Sequence, residues 1–336
     1  MATYSGKQFE AYISLQTDAL GTNDVSGTLY KMRLAQVNDI DFSAGVQLTP
    51  VERTGQRVLR PTDHIAVRGG GTYSWSFSDY IVENEALLQL LLQLVTEDDA
   101  PTDVVSILGN QGTVAYTESA STGEYACVVI SSPDADKDRL MHSAILQELT
   151  LSMNPTANGG RLTASGTFFS GYQPVIGAES TATNATAVDY TQGFFDCSTQ
   201  SLQTSGGSAV AVLANSFDLT ISNPATRVGF KTVNSIAGEP ESYNRGGQIN
   251  VTGNISVKMD DNSVTMVNNF LSGISTNVSL GNGGGGSAGE NIDFDIPTAK
   301  VTGHELDTGN EGGVFISLPF QATAEGAGAL VTIIAT

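Results

Sequence analysis

Gly71-Thr-Tyr-Ser-Trp-Ser-Phe-Ser-Asp79 and Gly253-Asn-Ile-Ser-Val-Lys-Met-Asp-Asp261 decide how this chain is read, because they are one pattern written twice. In each, apolar and polar residues alternate as in a strand with one buried face, and a stretch of helical spacing follows. Gly71 and Gly253, Asp79 and Asp261, and Val82 and Val264 all lie 182 positions apart. Upstream, Asn38-Asp-Ile-Asp-Phe42 lines up with Asn215-Ser-Phe-Asp-Leu219, and Arg68-Gly-Gly70 with Arg245-Gly-Gly247, both 177 apart. The step from 177 to 182 places a five-residue length change just before the anchor strand. Downstream, residues 126–130 line up with 292–296, and Gly160-Arg-Leu-Thr-Ala-Ser-Gly-Thr-Phe168 with Gly313-Val-Phe-Ile-Ser-Leu-Pro-Phe320. All-β chains share local alternation between Gly-rich turns, so the order of elements rather than identity carries the repeat. It predicts two tandem, mainly β domains, residues 1–176 and 193–336, joined by an Ala-, Thr- and Ser-rich linker over 177–192. Each has one amphipathic helix against its sheet.

Composition agrees. A chain of 336 residues holds two domains of ordinary size, and its 15 % charged content with abundant Gly, Ser, Thr and Asn suits strands and turns. The net charge of −20 divides evenly, since residues 1–178 carry 10 basic and 20 acidic groups and residues 179–336 carry 5 and 15. That balance argues against a nucleic-acid-binding surface, which needs clustered Lys and Arg, but not against a surface that DNA passes without sticking. Cys127 and Cys197 fall at positions that do not correspond in the two copies and are expected to be buried free thiols. Met1-Ala-Thr-Tyr-Ser-Gly-Lys7 lacks the apolar run of a signal peptide, and residues 86–95 are too short to span a bilayer, so a soluble protein made in a cytoplasm is expected.

Tyr73, Trp75 and Phe77 share one strand face and are read as core. Val82, Leu87, Leu88, Leu91 and Leu92 follow at helical spacing, with acidic residues near the start. In the second copy Asp260 or Asp261 caps the helix that carries Val264, Val267, Phe270 and Leu271, and Gly273 ends it. Residues 43–70 form a long polar stretch with Pro50 and Pro61 that holds Arg53, Arg57, Arg60 and Arg68, four of the fifteen basic residues. It is either an extended hairpin or arm, or a solvated surface loop. Strands are expected over 104–108 and 126–130, a hairpin over 144–153 and 161–170, and a last paired strand over 329–334.

Chemistry is not indicated. His64, His142 and His304 lie far apart, and Gly283 to Gly286 lacks the Lys-Ser/Thr ending of a phosphate cradle. Asp134, Asp136 and Asp138 resemble the start of a calcium loop, but Lys137 interrupts them and neither the glycine nor the distal glutamate follows. Asp293 and Asp295 read as the polar side of a strand. No cofactor is expected, and the chain is not read as an enzyme. A tandem β-sandwich adhesin or carbohydrate-binding module is the alternative, though it usually displays aromatics and here the single Trp sits in a core-like strand.

The order strand, strand, polar arm, strand, helix and hairpin resembles the tail tube proteins of long-tailed, siphovirus-like bacteriophages. The likeness rests on Asp39 to Phe42, the arm to Arg68-Gly-Gly70, the Gly71 to Asp79 strand with its helix, and the hairpin ending Ser165-Gly-Thr-Phe-Phe-Ser-Gly171. In the second half it rests on Phe217-Asp-Leu-Thr-Ile-Ser-Asn223 and on Val251 through Asn262. The resemblance implies two β-sandwich or barrel-like tail-tube domains and rings stacked around a DNA-conducting lumen, in a virion assembled in the host cytoplasm. A tandem chain would need three subunits to present six domains, a trimer with pseudo-sixfold symmetry. Tape measure protein and phage DNA in the lumen, and tail terminator and distal tail proteins at the ends, are the implied partners. An acidic wall would repel phosphate. Arg53, Arg57, Arg60 and Arg68 on the arm, with Glu97, Asp98 and Asp99, are the candidate contacts between successive rings.

Overall fold

A computed structural model describes residues 8–16, 19–22, 25, 28–42, 46–50, 64–68, 71–97, 104–108, 114–117, 124–177, 197, 199–204, 209–233, 236–281, 292–308 and 313–335. In the first half the strands are β1 (Glu10–Leu15), β2 (Tyr30–Met32), β3 (Val46–Pro50), β4 (His64–Arg68) and β5 (Tyr73–Ile81), followed by helix α1 (Glu85–Thr96). Then come β6 (Val104–Leu108), β7 (Val114–Thr117), β8 (Ala126–Ser131), β9 (Arg139–Met153), β10 (Leu162–Ser170) and β11 (Val175–Ile176). The second half has β12 (Thr199–Thr204), β13 (Ala209–Ala211), β14 (Ala214–Ser222), β15 (Thr226–Val228), β16 (Lys231–Val233), β17 (Ile236–Glu239), β18 (Ser242–Arg245) and β19 (Asn250–Lys258) before helix α2 (Asp261–Leu271). It ends with β20 (Thr276–Gly281), β21 (Ile292–Val301), β22 (Glu305–Asp307), β23 (Phe315–Ala322) and β24 (Ala329–Ala335). The protein is mainly β and antiparallel, with the expected helix after β5 and again after β19.

The strand pairings recur in order. In the first half β1 pairs with β2 and β8, β8 with β9, β9 with β10 and β11, and β10 with β5. In the second, β12 pairs with β13 and β20, β20 with β21, β21 with β23 and β24, and β23 with β19. Even an irregularity repeats. Leu146 faces Phe168 but Glu148 faces Thr167, and Val301 faces Phe320 but Glu305 faces Ser317, so β9 and the stretch from β21 into β22 each carry one extra residue at the same place.

The recurrence corrects the sequence alignment. Inward-facing Tyr73, Trp75, Phe77 and Tyr80 of β5 correspond to Val251, Gly253, Ile255 and Val257 of β19, separations of 178 and, past the irregularity, 177, so the five-residue step disappears. Aligning at 182 failed because Asp79 and Asp261 are not counterparts in the structure. Asp79 is a strand residue with φ of 52° at the irregularity between β5 and β10, whereas Asp261 begins α2. The helix caps are Asn84, whose side chain accepts from Leu87 N, and Asp260, which accepts from Ser263 N at 2.9 Å. Gly273, with φ of 68°, follows α2 as expected. Likewise β8 corresponds by its pairings to β20, and residues 292–296 belong to the counterpart of β9.

The halves are also interleaved. β14 lies against β9, β24 against β6 and β18 against β7, and a single buried apolar cluster draws residues from both. Trp75, Phe77 and Phe168 pack ring against ring in the first half, and Phe217, Phe294 and Phe320 in the second. Both cysteines are buried thiols outside any disulfide, and Cys127 donates to Gln16 Oε1 at 3.3 Å. β3 and β4 pair antiparallel, while the rest of the 43–70 stretch lies outside the described residues, and β15 with β18 occupies the same stretch of the second half. No described helix is long and apolar enough to cross a membrane.

Candidate assembly surface

Strands β5, β10, β9, β14, β19 and β23 are hydrogen-bonded in that sequence, and their alternation gives the sheet two unlike faces. One face is the core. The other is a field of hydroxyls and amides joined across strands: Ser76 to Thr167 at 3.1 Å, Thr150 to Thr220 at 2.9 Å, and Ser317 donating to Asn254 at 2.7 Å. Ser152 donates to Asp218 at 2.5 Å, and Glu148 stands exposed on the same face. Such pairs pin register across a mostly uncharged surface that carries Glu148 and Asp218, with Lys258 exposed at the end of β19.

Arg245 of β18 is the clearest polar device inside the protein. Its guanidinium donates to the carbonyls of Leu146 at 2.9 Å, Leu94 at 3.1 Å and Val95 at 3.3 Å, and Nε lies 2.6 Å from Glu97 Oε1. The two side chains are 2 % and 3 % exposed. A cation at the carbonyl end of α1 is well placed for the helix dipole, and Asn223 adds a donor to Val95 O at 2.9 Å. Burial pulls the guanidinium down to about 10, with Glu97 pulling the other way. Arg245 therefore holds the second half's arm against the first half's helix.

That geometry corrects one expectation. Glu97, read as part of an outward acidic patch, is the αL residue that closes α1 (φ 63°), and this turn directs its carboxylate inward to Arg245. Asp98, Asp99, Arg53, Arg57 and Arg60 lie outside the described residues, and Arg68 is described only as the last residue of β4. Sequence reasoning missed the Arg245–Glu97 pair. The one available sign was that Arg245-Gly-Gly aligns with Arg68-Gly-Gly, which puts a charged residue at a repeat position of a chain poor in charge.

The calcium-like triplet is not drawn together as a site. Lys137 pairs with Asp134, while buried Asp138 accepts the Ser132 amide at 2.6 Å and burial holds its carboxyl above the usual range. Among the described residues no group of three or more His, Cys, Asp or Glu is placed to hold a metal ion. Asp295, half-buried beside Asp293, is also raised, by burial first. His142 sits within β9 next to the Tyr172 ring, 5.6 Å between centroids, and burial lowers its pKa to about 4.

Residues 46–322, most of the chain, match the family model described as phage tail tube protein. The chain belongs to that family. No curated protein matches it. This tail tube protein is thus a structural virion component, and the features above are those of a building block: a continuous sheet, a polar face, and a second-half strand, β18, that reaches the helix of the first half.

Proposed function

We propose that this tail tube protein polymerises into stacked rings, each made of three chains that present six β domains in pseudo-sixfold symmetry. The recurrence of strand pairings in the two halves is the observation that carries this, because two like units joined by β9 and β14 already form one third of such a ring. Residues 1–176 and 193–336 are the tandem tail-tube domains of this proposal, with 177–192 as linker. The hydroxyl-rich face of the β5-to-β23 sheet is the face we assign to the lumen. Its carboxylates, Glu148 and Asp218, repel phosphate, and its many hydroxyls are neutral, with Lys258 at the end of β19 the counter-example on this face.

The arm arginines Arg53, Arg57, Arg60 and Arg68 remain the candidates for contact between rings, with Asp98 and Asp99 as acidic partners and Glu97 already engaged by Arg245. Exposed pairs contribute only about 0–1 kcal/mol each, so strand pairing and apolar burial must hold the tube. In a siphovirus-like tail assembled in the host cytoplasm, the lumen would hold tape measure protein and then DNA during ejection, and terminator and distal tail proteins would close the ends. Negative-stain imaging of the purified protein tests the reading. Rings or tubes with a central channel are expected; a monodisperse monomer over a wide concentration range would overturn it.

A further inference from the structure

The second half leaves bare what the first half has covered. Counting from the helix caps Asn84 and Asp260, Leu88 corresponds to Val264 and Val95 to Leu271. Leu88 and Val95 are fully buried, whereas Val264 is 38 % and Leu271 71 % exposed. The long strands show the same contrast. Phe168 faces Trp75 as Phe320 faces Gly253, and four residues back Ala164 faces Leu151 as Ile316 faces Leu306. Leu151 is fully buried and Leu306 is 51 % exposed.

The cover in the first half comes from the second. Leu219 of β14 faces Leu151 along the outer edge of β9, and Arg245 and Asn223 close over the end of α1. The outer edge of β22 corresponds to that edge of β9, and among the described strands β22 pairs with β23 alone. The first-half counterpart of β14 is residues 38–42. This segment touches the sheet through the Asp41–Ser74 bridge, where Thr220 of β14 meets Thr252 of β19, and Ile40 turns inward as Leu219 does. No described strand lies on its other side.

We propose that a second copy of this chain supplies the missing cover: residues 38–42 of one chain lie antiparallel along β22 of the next, with Ile40 opposite Leu306, and the β3–β4 arm of that same chain covers the end of α2. The contact is head to tail, so repetition either closes a ring or extends without end. It rests on the tube reading, to which it adds the joint itself. The register transferred from β9 and β14 also sets Asp41 opposite Glu305 on the polar face, while Asp39, which faces Asp307, is already neutralised by its ion pair with Arg139. Like charges directly opposed weaken a strand pair, so the joint carries its own brake against pairing at low ionic strength. Carboxylates would then concentrate at the seams of the lumen.

The test is a chain carrying D41C and E305C, oxidised after assembly; opposed residues in an antiparallel pair have Cβ atoms about 4.5–5.5 Å apart. The native Cys127 and Cys197 are buried and stay out of the reaction. Inter-chain dimers and trimers on a non-reducing gel are expected from the double variant, and monomers from each single variant. In parallel, hydrogen exchange on the wild-type chain should show amides 38–42 and 305–307 slowing at least tenfold on assembly. Tubes that form without cross-links and without that protection overturn the joint but leave the tube reading standing. A wild-type chain that never assembles overturns both.

Discussion

Replacing Arg245 by Met removes the most consequential polar contact between the two halves. The substitution keeps much of the side-chain volume, so the loss is chemical. The Glu97 carboxylate stays buried beside α1 without its cation, and the carbonyls of Leu94, Val95 and Leu146 lose their shared donor. Removing one member of a buried ion pair costs about 3–5 kcal/mol, a fifth or more of the stability of an ordinary domain. Glu97→Gln should cost less, because the guanidinium still donates to three carbonyls. In the double variant the stranded charge is gone, so it should be less destabilised than the two single losses added together, by at least about 1 kcal/mol. Guanidinium unfolding followed by fluorescence and circular dichroism gives the four stabilities. R245M within about 1 kcal/mol of wild type, or strict additivity, would refute the claim that this pair locks the arm to the helix.

His142 makes stability pH-dependent. Its folded pKa of about 4 lies below the unfolded 6.5, so the unfolded chain binds the extra proton as pH falls, and stability drops between these values. At 1.36 kcal/mol per unit the loss approaches about 3 kcal/mol, and His142→Leu should flatten the profile over that window while leaving the opposite-signed contributions of Asp138, Glu239 and Asp295 in place. Gly253→Ala should destabilise by about 1–3 kcal/mol in a thermal melt, since a methyl there overlaps the Phe320 ring and comes within 2.5 Å of the Asp218 carbonyl oxygen. An unchanged Tm would show that the ring has room to move. Finally, E305Q with D307N should remove the ionic-strength dependence of ring formation seen by light scattering, whereas retained dependence would place the opposing charges elsewhere.

The sequence made the periodic parts of this structure legible. The aromatic face of β5, both helices, the hairpin of β9 and β10 and the buried cysteines all rest on local alternation, spacing or capping, and all stand in the structure. Register was not legible. A single irregularity at Asp79 shifts side-chain facing without leaving a mark in composition, so anchoring two aspartates at 182 produced a length change that the strands do not contain. Long-range pairing was equally hidden: β9 with β14, β6 with β24 and β7 with β18 join segments that carry no local sign of one another. Glu97 shows the same limit in one residue. Beside Asp98 and Asp99 it reads as a solvated charge, and only the left-handed turn at the end of α1 sends it to a partner far along the chain.

The number of chains in one ring tests the central claim most directly. Cryo-electron microscopy of assembled tubes, reconstructed without imposed symmetry, should show three chains per ring with six similar but unequal domains around the channel and the hydroxyl-rich sheet face lining it. Six whole chains in a ring with true sixfold symmetry, or a channel lined by the opposite face, would contradict the account.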